Sequence, residues 1–139
     1  MPLLTRTFAK ASLIYFILAL LLAVLLTLQP LLDLPAIVGG LRPVYLHFFM
    51  VGWLTQLIFG VMHWMFPKTS RDRPRGNERL MWAVFIALNL GLVLRALVEP
   101  LTAVQPSTSW DWLLAVSASL QWLAGLGFVA NTWPRVKER

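Results

Sequence analysis

The chain has 139 residues, of which 58% are hydrophobic and only 13% charged, and its mean hydropathy is +0.70. A water-soluble domain of this length needs far more polar surface, so the composition points to an integral membrane protein. Cysteine is absent, which excludes disulfides, thiolate metal sites and cysteine nucleophiles. The net charge of +6 does not read as a nucleic-acid footprint, because the basic residues gather in the gaps between apolar runs.

Four membrane spans are expected, at about 8–28, 43–66, 78–98 and 110–132. The first is stopped by Gln29-Pro30; it is too long for a cleavable signal peptide, and no small-residue cleavage site follows it. The second opens near Pro43, whose missing N–H suits a first helical turn, and stops at Pro67. From Val44 to Phe66 it carries no Asp, Glu, Lys or Arg, and about 20 such residues cross a hydrocarbon core. The third opens at Asn77, an N-cap residue followed by Glu78 against the helix dipole, and ends before Glu99-Pro100. The fourth is expected to be capped by Ser109, with Asp111 in its first turn, and to end before Pro134. The fold class is therefore all-α: one polytopic domain over 1–139, four transmembrane helices in an up-down arc or bundle joined by short loops.

Charge orients these spans. Arg6 and Lys10 precede the first, and Lys68, Arg71, Arg73, Arg75 and Arg79 occupy the basic loop 67–77 and its exit. Arg135, Lys137 and Arg139 follow the fourth. The opposite loops hold Asp33, Glu99 and Asp111, with Arg42 as the one nearby base. The positive-inside bias puts both termini in the cytoplasm of a bacterial-type inner membrane, with the basic loop solvated beside lipid headgroups. Trp64, Trp82 and Trp133 at the inner interface and Trp110 and Trp112 at the outer one agree. Two stripes of small and polar residues, Gly52-Gln56-Gly60 and Ser117-Gln121-Gly125, are expected to pack against each other or against a second protomer.

Both histidines of the chain lie on the second span, sixteen residues apart. At 1.5 Å per residue they are roughly 24 Å apart along the axis and cannot share one metal ion. His63, one turn from the inner end, reads as an interfacial imidazole bonded to water or backbone. His47 is deeper, and is either a hydrogen-bonded packing residue or an axial ligand to haem.

The run Tyr45-Leu46-His47-Phe48-Phe49-Met50-Val51-Gly52-Trp53, continued by Phe59-Gly60-Val61-Met62-His63-Trp64-Met65-Phe66-Pro67-Lys68, resembles one segment of the haem-copper oxidase catalytic subunit. The likeness is closest to the cbb3-type and nitric-oxide-reductase branch and to NnrS-like membrane proteins. In that family the tenth helix carries His-x-His, then Gly-Trp, then Gly, an aromatic pair and Pro with a basic residue. The resemblance implies that His47 keeps the low-spin haem position, while Tyr45 stands where the high-spin haem ligand would be. It also implies that the four spans correspond to one four-helix arc of that subunit. Arg95, with Arg42, then falls near the haem propionates. By its own spacing Arg95 either snorkels to the outer interface or pairs with Glu99 one turn later.

The departures from the family are as informative. Copper-site histidines are missing, so oxygen reduction by this chain alone is not expected. A second axial ligand for haem b would come from Met50, from His47 of another protomer, or from another subunit. The expected function is thus a haem-binding membrane protein in electron transfer, haem handling or gas sensing, within a homo-oligomer or larger respiratory complex. The alternative is an accessory subunit of a membrane complex without haem; a transporter has little support, since the spans lack a charged midplane site. A reporter enzyme fused to Arg139 is expected to be active only in its cytoplasmic form; an externally active fusion overturns the orientation.

Overall fold

The computed structural model describes residues 1–68 and 75–136. Arg71 and Arg73 of the expected basic loop, and Lys137 and Arg139 of the C-terminus, lie outside the described residues. Four helical stretches are long and apolar enough to cross a membrane, Leu3–Leu28, Ala36–Met65, Glu78–Val104 and Thr108–Arg135, and no strand occurs among the described residues. Among the described residues the fold is all-helical, with four helices that could span a membrane, the pattern of a multi-pass membrane protein.

Helix α1 (Leu3–Leu28) follows Pro2 at its N-cap. The second span is composite: α2 (Ala36–Gly39), α3 (Arg42–His47), a π-helical segment (Phe48–Thr55) and α4 (Gln56–Met65). Its α3 segment opens at Arg42 with Pro43 in the first turn, as expected, and the short turn α2 after Pro35 extends the span upstream. Helix α5 (Glu78–Val104) is capped as expected, with the Asn77 side chain accepting from the Leu80 N–H at 3.2 Å. It does not end before Glu99-Pro100 but runs through Pro100 to Val104. Proline removes a backbone donor and usually breaks a helix, yet this one is buried against the second span: a Cβ on Gly40 would stand 3.1 Å from the Pro100 Cα and 2.8 Å from the Ala103 Cβ. Helix α6 (Thr108–Thr132) is capped by Ser107 rather than Ser109, and a 3-10 turn at Trp133–Arg135 extends it past the expected end. Three consecutive hydroxyl residues, Ser107, Thr108 and Ser109, made the cap ambiguous in the sequence.

Residue pairings show the up-down arrangement. Along α1 and the second span, Tyr15 faces Gly52 and Phe8 faces Gly60. Along the second span and α5, Gly40 faces Pro100 and Gln56 bonds Asn89 at 2.7 Å. Along α5 and α6, Gly91 receives the Ser117 hydroxyl at 2.7 Å and Gly127 faces Val84. In each pair one number rises as the other falls, so neighbours are antiparallel. The second span and α6 also meet directly, where Phe59 and Phe128 stack with ring centroids 3.7 Å apart.

The two small-residue stripes do not pack against each other. Gly52 and Gly60 take in α1, Gln56 turns to α5, and Ser117 and Gln121 close on Gly91 of α5. A Cβ added to Gly125 would meet nothing within 4 Å, so this residue faces away from these contacts. The two glycines therefore separate in their response to alanine. A Cβ at Gly52 would lie 2.6 Å from the Tyr15 Cγ, forcing α1 away, and Gly52→Ala is expected to cost about 1–3 kcal/mol. Gly125→Ala should leave thermal unfolding in detergent unchanged or raise it slightly, since alanine favours the helix.

Candidate functional site

His47 closes α3 at the point where the helix widens into the π segment. Eight residues, Phe48–Thr55, adopt the wider winding, and the Thr55 hydroxyl donates to the Met50 carbonyl, five residues back, at 2.8 Å. Such windings are rare and concentrate at functional sites. The helix period of the sequence gives no sign of it, because the apolar residues run all round this span.

The His47 ring is half-buried, and its Nδ1 lies 2.9 Å from the Pro43 carbonyl one turn earlier. A carbonyl only accepts, so Nδ1 carries the proton and Nε2 presents its lone pair. That is the tautomer in which imidazole ligates metal, with the second hydrogen bond holding the ring and raising its basicity. The donor at His47 therefore fits a haem iron. Two surface features lie nearby without including it. An apolar cavity of about 310 Å³ is bounded by Tyr15, Phe48, Asn89 and Val93, and an open groove of about 480 Å³ by Arg42, Tyr45, Leu46 and Thr27.

The other expected site residues are spread around this region. Arg42 is exposed at the start of α3, and Met50 is 50% exposed in the π segment. Arg95 is bound within its own helix: Nη1 donates to Glu99 Oε2 at 3.0 Å, with both side chains about one-sixth exposed. The one-turn spacing is realised as an ion pair, and Arg95 Nε is buried without a partner among the described residues.

Behind the π segment lies a buried polar relay that joins two spans. Gln56 Nε2 donates to the Gly52 carbonyl at 3.3 Å, and Asn89 Nδ2 donates both to Gln56 Oε1 at 2.7 Å and to the Phe85 carbonyl at 2.8 Å. It fastens the widened backbone to α5 and fixes the stretch that follows His47. No protein-family model, curated protein or solved structure matches this chain. No group of three or more His, Asp or Glu stands together among the described residues.

At the opposite end of the second span, His63 departs from expectation. It is 2% exposed, enclosed by protein, and its Nδ1 has no partner among the described residues. What covers this end is Arg135, itself 1% exposed. Its Nε donates to the Pro67 carbonyl at 3.1 Å, and Nη2 to those of His63 and Phe66 at 3.0 and 2.8 Å. These are carbonyls that the end of α4 leaves without helical donors. Beside it Asn131 accepts from the Asn77 N–H at 2.7 Å and donates to the Arg75 carbonyl at 3.4 Å. The sequence showed Arg135 only as one more base after the fourth span; its burial is a tertiary fact.

The Arg95–Glu99 pair is directly testable. Glu99→Gln leaves a guanidinium without its counter-charge and is expected to destabilise by about 1–3 kcal/mol, between the figures for exposed and buried pairs. Combining it with Arg95→Gln should recover most of that loss in a double-mutant cycle of thermal unfolding. Additive losses would mean that the pair does not couple.

Proposed function

We propose that this chain is a haem-binding protein of a bacterial-type inner membrane, with both termini cytoplasmic, that carries b-type haem on His47 at a contact with a second polypeptide. The observation that carries the reading is the His47 ring itself: Nδ1 held by the Pro43 carbonyl at 2.9 Å, leaving Nε2 free on a half-buried surface beside a π-helical segment. The oxidase-like run from Tyr45 to Lys68 supports it, since His47 takes the low-spin position there and Tyr45 the other.

Bound haem supplies one-electron chemistry and gas binding, so electron transfer, haem handling and gas sensing are the roles in view. This chain's own part is to orient. Pro43 aims the imidazole, and the Gln56–Asn89 relay holds the backbone of the π segment behind it. Arg42 is exposed and meets no carboxylate among the described residues, which makes it the readier propionate partner; Arg95 is already paired. Met50, half-exposed three residues beyond His47, offers a thioether on the same stretch. The remaining ligand and the covering surface come from a second copy or a larger complex.

A second reading, an accessory subunit without haem, is favoured by the pairing of Arg95 and by the absence of His47 from the two cavities above. Optical spectra separate the two. Protein purified in detergent from haem-replete cells is expected to show a Soret band that shifts on reduction and falls at least tenfold in His47→Ala, with the unfolding temperature kept. Colourless wild-type protein that co-purifies with a large complex regardless of His47→Ala overturns haem binding and selects the accessory role.

A further inference from the structure

Five buried side-chain atoms lack a hydrogen-bond partner among the described residues, and four of them belong to one end of the bundle: Thr5 Oγ1, His63 Nδ1, Thr132 Oγ1 and Arg135 Nη1. They come from the start of α1, the end of α4 and the end of α6 with its 3-10 turn. None of these four residues is more than 4% exposed. Buried polar atoms are nearly always bonded, so one orphan is notable and four at one end need a common cause.

The contacts draw these residues together. Arg135 Nη2 reaches the His63 carbonyl at 3.0 Å, and Thr132 stands one turn before Arg135. The Thr5 carbonyl lies 3.4 Å from a Cβ placed on Gly60, one turn before His63. Asn131, one turn before Arg135, donates to the Arg75 carbonyl at 3.4 Å and so brings Arg75 to the same end. The salt bridge found among the described residues, Arg95–Glu99, is on the opposite half of α5, and no described carboxylate meets Arg135. The α4 carbonyls satisfy Nε and Nη2 of Arg135 but bring no full negative charge.

Each orphan atom donates or can donate a hydrogen bond. A guanidinium removed from water is costly without a counter-charge, and a second arginine beside it raises that cost. Water would meet the hydrogen bonds and leave the charge; a cation would worsen it. A tetrahedral oxyanion meets both needs, and guanidinium, imidazole and hydroxyl groups converge on phosphate elsewhere for the same reason. Basic pockets between membrane helices near a headgroup layer are also where lipid phosphates dock.

We infer that this end of the bundle binds a phosphate group, with Arg135 Nη1, His63 Nδ1 and the Thr5 and Thr132 hydroxyls as donors and Arg75 as a second positive charge. The site is separate from His47 and does not depend on the haem reading. A lipid phosphodiester and free inorganic phosphate share this chemistry, and the test distinguishes them.

The full chain is purified in a non-ionic detergent and its thermal unfolding followed with phosphatidylglycerol, phosphatidylcholine or inorganic phosphate. Phosphatidylglycerol at about ten times its Kd is expected to raise the midpoint by about 5 °C, with phosphatidylcholine inert. An equal rise with inorganic phosphate assigns the site to the free anion instead. Arg135→Ala would also strip the end of α4, so the variants are Thr132→Val and Arg75→Gln. Neither removes a side-chain hydrogen bond found among the described residues, and both should at least halve the rise. Thr132→Val is the sharper, because it changes no charge and general attraction of lipid to a basic surface would not notice it. Variants that respond as the wild type does, or a wild type that responds to neither phosphate probe, overturn the site. Asp72→Asn that lowers the midpoint, in a protein unmoved by either probe, would place the counter-charge within the chain and overturn it equally.

Discussion

In a hydrocarbon layer a helix gains nothing by turning apolar side chains inward, because lipid is as apolar as leucine. The outer faces here show it: Ile14, Ile17, Leu90, Leu97 and Trp122 are all more than half exposed, on helices that nonetheless pack in one register. That register rests on close approach and a few polar bonds. Gly52 admits the Tyr15 side chain and Gly60 admits Phe8, so α1 can lie against the second span at one height only. The Gln56–Asn89 bond and the Ser117–Gly91 bond do the same for the next two contacts. Without these few groups the helices would still span a membrane but would have no reason to choose these partners.

The same constraint explains the composite second span. A helix that must present Gly52 to α1 and Gln56 to α5 needs those two residues on different faces, although four residues normally bring side chains to the same one. The wider winding of Phe48–Thr55 turns each residue through a smaller angle and swings the later residues round. The Thr55 hydroxyl and the Gln56 carboxamide then occupy backbone carbonyls inside the stretch. His47 ends α3 immediately before this winding, its ring held from the other side by the Pro43 carbonyl.

This accounts for what could be read from the residues in advance. Span number and order followed from length and charge-free runs, which depend only on composition. The Asn77 cap and the Arg95–Glu99 pair were visible because both are local, within one turn. Pro100 misled because its helix-breaking tendency is local while its burial against Gly40, sixty residues away, is a tertiary contact. The stripes misled similarly: small residues mark where something packs, and both pack on α5 or α1 instead of on each other. For the candidate site, His47 stood out as a histidine in an apolar run, whereas nothing in the spacing announced the Pro43 bond, the π segment or the burial of Arg135.

The two histidines of one span end in opposite circumstances, and the difference lies in their neighbours. The Pro43 carbonyl, one turn before His47, holds the Nδ1 proton at 2.9 Å, so the ring is anchored and its other nitrogen carries the lone pair. His63 lies in the last turn of α4, where the carbonyls lack helical partners and draw in a donor from another helix. Arg135 fills that need through the backbone of His63, Phe66 and Pro67 and so roofs over the imidazole without bonding it. Capping with lysine would leave no donor over, since an ammonium has three and three carbonyls are met. The guanidinium has five, and after the carbonyls are satisfied Nη1 still has donors to spare at the enclosed end of the bundle. The choice of arginine at this position thus does more than end a helix: it leaves a fixed positive charge at the end of the bundle that also holds the unpartnered His63 Nδ1 and the Thr5 and Thr132 hydroxyls.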